Sequence, residues 1–263
     1  MRCFRSGHAV IGLLLAIPAL SQNQQEMPRD YRGVQIIVPG IFVTPVPNAP
    51  FSATIDILSH ETLPDGSVNT RTTTAHIARS SSGRIYNERR QLVPTSFKGE
   101  PQLLSAHIYD PSSRLSIFYN PFERLARERN VPQPPVAPAN SVPAPTPPNN
   151  PYFKQEDIGT QPLDGLTLKG IRKTHIIPAN MSSTGKEIAI VDEYWYSPDL
   201  SIYMIIKHND PRTGEQLVAV SNVERHEPAA SVFAIPANYK IVDENPPDLP
   251  DTQQPTEAAP AQR

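Results

Sequence analysis

Phe51-Ser-Ala-Thr-Ile-Asp-Ile-Leu58 is the stretch that decides the fold of this chain. Phe51, Ala53, Ile55 and Ile57 recur at every second position, with Ser52, Thr54 and Asp56 between them. Successive side chains of a strand point to opposite faces, so this alternation predicts a strand with one buried and one wet face. Pro64-Asp-Gly66 supplies turn chemistry, and Val68 to Ile77, rich in β-branched residues, brings the chain back. Ser80-Ser-Ser-Gly83 turns it again into Arg84 to Leu92. The expectation is an antiparallel meander.

Outward from that stretch the same grammar continues. Strands are expected at Ser105 to Tyr109 and Leu115 to Tyr119, around Asp110-Pro-Ser-Ser113. Asn120-Pro-Phe-Glu123 then reads as a helix start: a capping residue, a proline at the first helical position and a glutamate three residues after the cap. It predicts a short helix over Pro121 to Arg129. Further on, Leu163-Asp-Gly-Leu166 is a tight turn into Thr167 to Ile177. Glu187 to Tyr196 reads as a strand with Ile188, Ile190, Tyr194 and Tyr196 on one face and Trp195 on the other. Turns at Ser197-Pro-Asp199 and Asp210-Pro-Arg-Thr-Gly214 bound the strands that follow, and Tyr239 to Val242 closes the pattern. Tyr109-Asp-Pro111 before Leu115-Ser-Ile117 is echoed by Tyr196-Ser-Pro198 before Leu200-Ser-Ile202. The echo suits one sheet running through both halves. The fold class expected is mainly β: a curved antiparallel sheet, an open half-barrel, with one or two short helices.

Residues 51–130 and 152–244 are expected to form one discontinuous β domain, after an extended N-terminal segment at 22–50. Val131 to Pro151 reads VPQPPVAPANSVPAPTPPNNP, with no charge, aromatic residue or glycine. Such a segment buries too little apolar surface to offset its ordering entropy, and so does the proline-rich tail 245–263; both are expected to be disordered. At the other end, Arg2 and Arg5 precede the apolar run Ala9 to Ile17, and Ala19-Leu-Ser21 precedes polar Gln22. That is the order of a secretory signal peptide over residues 1–21, and the run is too short to span a bilayer. N-terminal sequencing of exported material is expected to begin at or near Gln22. An intact Met1 terminus on cytosolic protein would sink that reading.

The single cysteine, Cys3, lies before the apolar run, so the processed chain has no thiol for disulfides, thiolate catalysis or zinc–cysteine sites. A formal charge of −2 gives no electrostatic footprint for nucleic acid. Arg84, Arg89 and Arg90, and Arg124, Arg127 and Arg129, are interleaved with Glu88, Glu123 and Glu128, which reads as a salt-bridged surface. His60, His76, His107, His175, His208 and His226 show no metal-ligand spacing and are expected on sheet faces. No Gly-x-Ser-x-Gly elbow or glycine-rich phosphate loop is present, and Asp192 and Glu193, as strand neighbours, point to opposite faces. No catalytic residue, metal site or cofactor is assigned. The sharpest feature is Tyr194-Trp-Tyr196, aromatics that either stack a ligand on the sheet or, for Trp195, anchor the core.

Glu156-Asp-Ile-Gly-Thr160, Leu163-Asp-Gly-Leu166, Ile177-Pro-Ala179, Glu193-Tyr-Trp-Tyr-Ser-Pro198, Asp210-Pro-Arg-Thr-Gly-Glu215 and Phe233-Ala-Ile-Pro236 resemble, in order and spacing, uncharacterised secreted proteins of the acidobacterial type. A more remote resemblance is to lipoprotein carriers of the LolA, LolB and RseB type, in which proline-turn hairpins build an unclosed half-barrel. That resemblance implies a concave apolar face able to hold acyl chains or a partner peptide. The function expected is a non-enzymatic periplasmic or secreted binding protein for a lipid, hydrophobic ligand or envelope partner. The alternatives are an envelope structural protein without a small ligand, or an enzyme of unrecognised chemistry.

Overall fold

The computed structural model describes residues 41, 43–133 and 150–245. Residues 1–40, 42, 134–149 and 246–263 lie outside it, and with them the signal peptide, most of the N-terminal segment, the body of the proline-rich stretch and the tail.

Thirteen strands join in one open sheet. The first group is β1 (Phe51–Thr62), β2 (Val68–Arg79), β3 (Ile85–Arg90), β4 (Val93–Pro94), β5 (Leu103–Asp110), β6 (Leu115–Asn120) and β7 (Leu125–Asn130). The second is β8 (Phe153–Leu163), β9 (Leu166–Ile177), β10 (Ile188–Ser197), β11 (Ile202–Asp210) and β12 (Gly214–Glu224), with β13 (Lys240–Asp243) last. The spatial order is β13-β7-β6-β5-β3-β2-β1-β12-β11-β10-β9-β8, with β4 beside β2. Each group is thus a meander, and the two are fused where β1 pairs antiparallel with β12, for example Ile55 with Val220 and Ile57 with Val218. The expected continuity through both halves is present in this seam. One departure from an all-antiparallel sheet is β13, which runs parallel to β7.

The alternation in β1 does what its pattern predicts. Phe51, Ala53 and Ile55 are buried, while Ser52, Thr54 and Asp56 are half-exposed. They join the larger core with Ile77, Met204, Val218 and Val220, and Ile41 and Val43 of the arm before β1 pack on it. A smaller core gathers Tyr86, Ile108, Ile117, Tyr119 and Ala126 under Phe233. Phe233 belongs to a single 3₁₀ turn, Ala230–Phe233, the one helical element among the described residues.

The helix expected over Pro121 to Arg129 is not formed. Leu125–Asn130 is β7, paired with β6 from Leu115–Asn130 to Asn120–Leu125. Asn120 does accept a backbone hydrogen bond, from the Phe122 N–H at 2.8 Å, as a capping residue would. One turn later Arg124 enters the left-handed region at φ 50°, which ends any helix and sends the chain back as a hairpin. Two other loops share this build. Arg114 (φ 58°) closes Asp110-Pro-Ser-Ser and Ser201 (φ 52°) closes Ser197-Pro-Asp-Leu. Leu163-Asp-Gly-Leu166 is the tight hairpin its sequence predicts, with Asp164 and Gly165 at φ 47° and 76°.

A buried arginine ties the two meanders together. The Arg79 side chain is fully buried and donates to three backbone carbonyls, Ala49 (Nε, 2.8 Å), Thr44 (Nη1, 2.8 Å) and Leu200 (Nη2, 2.8 Å). Its guanidinium lies 4.9 Å from the centre of the Phe51 ring. One residue of β2 therefore holds the N-terminal arm, β1 and the β10–β11 loop at once.

Candidate functional site

Cross-strand register builds one candidate site. Leu58 of β1 pairs with Leu217 of β12, Leu217 with Lys207 of β11, Lys207 with Glu193 of β10, and Glu193 with Arg172 of β9. A second row, His60–Glu215–Asn209–Val191, lies two residues along each strand and so on the same face. Together the rows floor a groove of about 630 Å³, within the range of small-ligand pockets. Leu58, Val191 and Leu217 give it apolar surface, and Leu217 remains 37% exposed. Across the groove Arg172 donates twice to Glu193 Oε1 (Nη2 2.6 Å, Nε 2.9 Å), and Lys207 Nζ is 3.7 Å from Glu193 Oε2. Partly exposed pairs of this kind add little stability, but they fix a ladder of alternating charge beside the leucines.

The three aromatic candidates are on β10, and they separate. Trp195 joins the larger core at 9% exposure, opposite Gly170 of β9. A Cβ on Gly170 would lie 2.7 Å from the indole and 2.6 Å from Ile158, so the absent side chain is what admits the ring. The indole Nε1–H is buried and has no hydrogen-bond partner among the described residues. Tyr194 and Tyr196 are half-buried, and each ring lies 5.5 Å from that of Tyr203, which is 43% exposed. Lys173 Nζ sits 5.1 Å from the Tyr194 ring. Burial, with the Asp192 charge beside it, raises the Tyr194 hydroxyl above its ordinary range. The tyrosines form a small surface cluster and Trp195 is not part of it.

A second cavity, of about 520 Å³, lies between β1, β2, β3, β6 and the end of β12 and the segment Ser231–Pro236. A directed chain of hydrogen bonds forms part of its wall. Tyr119 O–H donates to Tyr86 (3.4 Å), Tyr86 O–H to Glu88 Oε1 (2.7 Å), and Glu88 Oε2 accepts from Arg90 Nε (2.6 Å) and the His76 N–H (3.0 Å). Burial alone would raise the Glu88 carboxyl, but the bonds from Arg90 and Tyr86 outweigh it and hold it below its usual range. Burial pushes the Tyr86 hydroxyl far upward, the Glu88 charge adding to it, so it stays protonated. The Glu88–Arg90 pair was expected on a solvated surface. It is instead buried, with side chains 7% and 10% exposed.

His208 lies on the sheet, in β11, and is buried there. Its Nδ1 lies 2.6 Å from Asp192 Oδ1, and Nε2 has no partner among the described residues. Asp192 and Glu193 do point apart, the first to His208 and the second to Arg172 and Lys207. Among the described residues no group of three His, Cys, Asp or Glu side chains could hold a metal ion, and no helix is long and apolar enough to cross a membrane.

No protein-family model and no curated protein matches the chain. Among solved structures it is similar to an uncharacterised conserved protein from Thermus thermophilus, at 10% identity and a TM-score of 0.39 over 74% of this chain and 91% of that one. MucB in complex with MucA(peri) is similar at 11% identity and a TM-score of 0.39, over 74% of this chain and 57% of that chain. The Mycobacterium tuberculosis lipoprotein LppX is similar at 12% identity and a TM-score of 0.29, over 67% and 88% of the two chains.

Proposed function

We propose that this is a non-enzymatic extracytoplasmic binding protein that holds an amphiphilic ligand, a lipid or an apolar stretch of a partner peptide, on its open sheet. The observation that carries this reading is the groove over β1 and β9–β12, where Leu58, Val191 and Leu217 lie open beside the charge ladder of Arg172, Glu193 and Lys207. Apolar atoms of a ligand would lie along the leucines and its polar end along the ladder. The export pattern at residues 1–21 supports a periplasmic or secreted location. Tyr194, Tyr196 and Tyr203 extend the same reading as a stacking surface, whereas Trp195 serves as their support.

Native mass spectrometry of protein purified from its own host tests the proposal. A co-purified ligand is expected on the wild type and lost from Leu217→Asp. The melting temperature should stay close to wild type, because Leu217 is a surface position. Ligand retained by the folded variant would place binding elsewhere, and a wild type that carries no ligand would remove the carrier reading.

A further inference from the structure

The cavity beneath Ser231–Pro236 shares none of its lining residues with the leucine groove. Its chemistry is one-sided. The hydroxyl protons that the hydrogen bonds account for are turned into the wall: Tyr119 gives its proton to Tyr86, Tyr86 to Glu88, and Ser52 to Glu224 at 3.4 Å. What these groups have left to offer a guest is lone pairs. Thr54, Asn222, Ser231 and the His76 ring can turn either way and so do not decide the matter.

Charge points in the same direction. Among the described residues, the ionisable groups lining the cavity are Glu88, Glu224, His76 and the two tyrosines, with no lysine or arginine. Arg90 answers Glu88 at 2.6 Å, and His226 Nε2 stands 3.0 Å from Glu224 Oε2 at the exposed rim. A carboxylate or phosphate guest would face two carboxylates without a lining cation. Beside Thr54, the rest of the wall is apolar where Ala78 of the sheet faces Val232, Ala234 and Pro236 of the segment above, while Ala53 and Ile77 turn their side chains into the larger core.

We infer that this cavity is a binding site for an organic cation, an ammonium group carried on a short apolar stem. The ammonium is drawn to the accepting tyrosine oxygens and to the Glu224 charge at the rim, and the stem lies between Ala78 of the sheet and the Val232–Pro236 segment. Accepting oxygens, a negative lining and an apolar wall select that chemistry together. None of the three would do so alone. The site is independent of the groove, and the two can fail separately.

Calorimetric titration of the processed protein with n-octylammonium tests it, with octanoate and 1-octanol as the same stem bearing other heads and ethylammonium as the head without the stem. Octylammonium is expected to bind at least about tenfold more tightly than each of the others, since a charge-assisted hydrogen bond and a buried stem each exceed that factor. Tyr119→Phe keeps the ring and removes the acceptor. Glu224→Gln removes a charge at a position too exposed to endanger the fold. Each should weaken octylammonium about tenfold. Leu217→Asp, in the other groove, should leave it unchanged. Equal binding of octanoate, octanol or ethylammonium would overturn the assignment. So would undiminished binding in Glu224→Gln, or an octylammonium titration without heat of binding.

Discussion

Arg79→Met is expected to lower stability by about 3–5 kcal/mol, roughly a 10 °C fall in melting temperature for a protein of this size. The side chain is fully buried and ends on three carbonyls. Thr44 O also accepts the Val46 N–H at 2.9 Å and keeps a partner without the arginine. The Ala49 and Leu200 bonds have no such substitute, and a buried carbonyl stripped of its donor costs roughly 1–3 kcal/mol. Methionine restores most of the volume and none of the donors, so the loss reads the hydrogen bonds rather than a cavity. Arg79→Lys should fall nearly as far, because one ammonium cannot reproduce a planar fork aimed at three separated oxygens. Burial already pushes the Arg79 guanidinium below its usual range, so the position tolerates the charge only through those oxygens and the Phe51 ring. The check is thermal unfolding followed by circular dichroism. A variant melting within 2 °C of wild type would show, at roughly 2–4 °C per kcal/mol, that the arm and the β10–β11 loop do not depend on this residue.

Arg79 also shows where the sequence was readable and where it was not. On β2 it occupies the same phase as Ala75 and Ile77, so an arginine stands in line with a buried apolar face. That placement is legible in the sequence. Its three partners are not, since two belong to the arm before β1 and the third lies 121 residues away. Strands with a wet face are marked by alternation, which is local, and most of them could be read. The helix expected after Asn120 failed because a capping residue, a proline and a following turn open both a helix and a four-residue hairpin loop. What separates the two is the fifth residue, Arg124, turning to φ 50°, and the partner strand that follows. A third copy of the turn was nevertheless on the page. Tyr119-Asn-Pro121 repeats Tyr109-Asp-Pro111 and Tyr196-Ser-Pro198, and both of those end in hairpins. The groove and the cavity were not legible, because Leu58 and Leu217, or Tyr86, Glu88 and Tyr119, meet only through register between distant strands.

Trp195→Ala is expected to cost roughly 3–5 kcal/mol, the usual loss when a large aromatic is cut from a core. The ring sits opposite Gly170, whose missing side chain makes its slot, and it packs in the same cluster as Leu168, Ile202 and Met204. Backbone on both neighbouring strands is fixed by pairing, so the slot cannot collapse around an alanine. Two further variants separate packing from ligand binding. Trp195→Phe should cost markedly less than the alanine change, because it keeps an aromatic ring in the slot and removes the indole N–H that is buried without a partner among the described residues. Gly170→Ala should destabilise from the other side, since its Cβ would stand 2.7 Å from the indole and 2.6 Å from Ile158. As Trp195 is the chain's one tryptophan, its fluorescence reports the site directly, and wild-type emission should be blue-shifted and shift red on unfolding. If Trp195 instead served as a stacking platform, alanine would leave the melting temperature unchanged and abolish ligand retention. Wild-type emission would then be that of an indole in water. That pair of results would move the aromatic site from the tyrosine cluster back to Trp195.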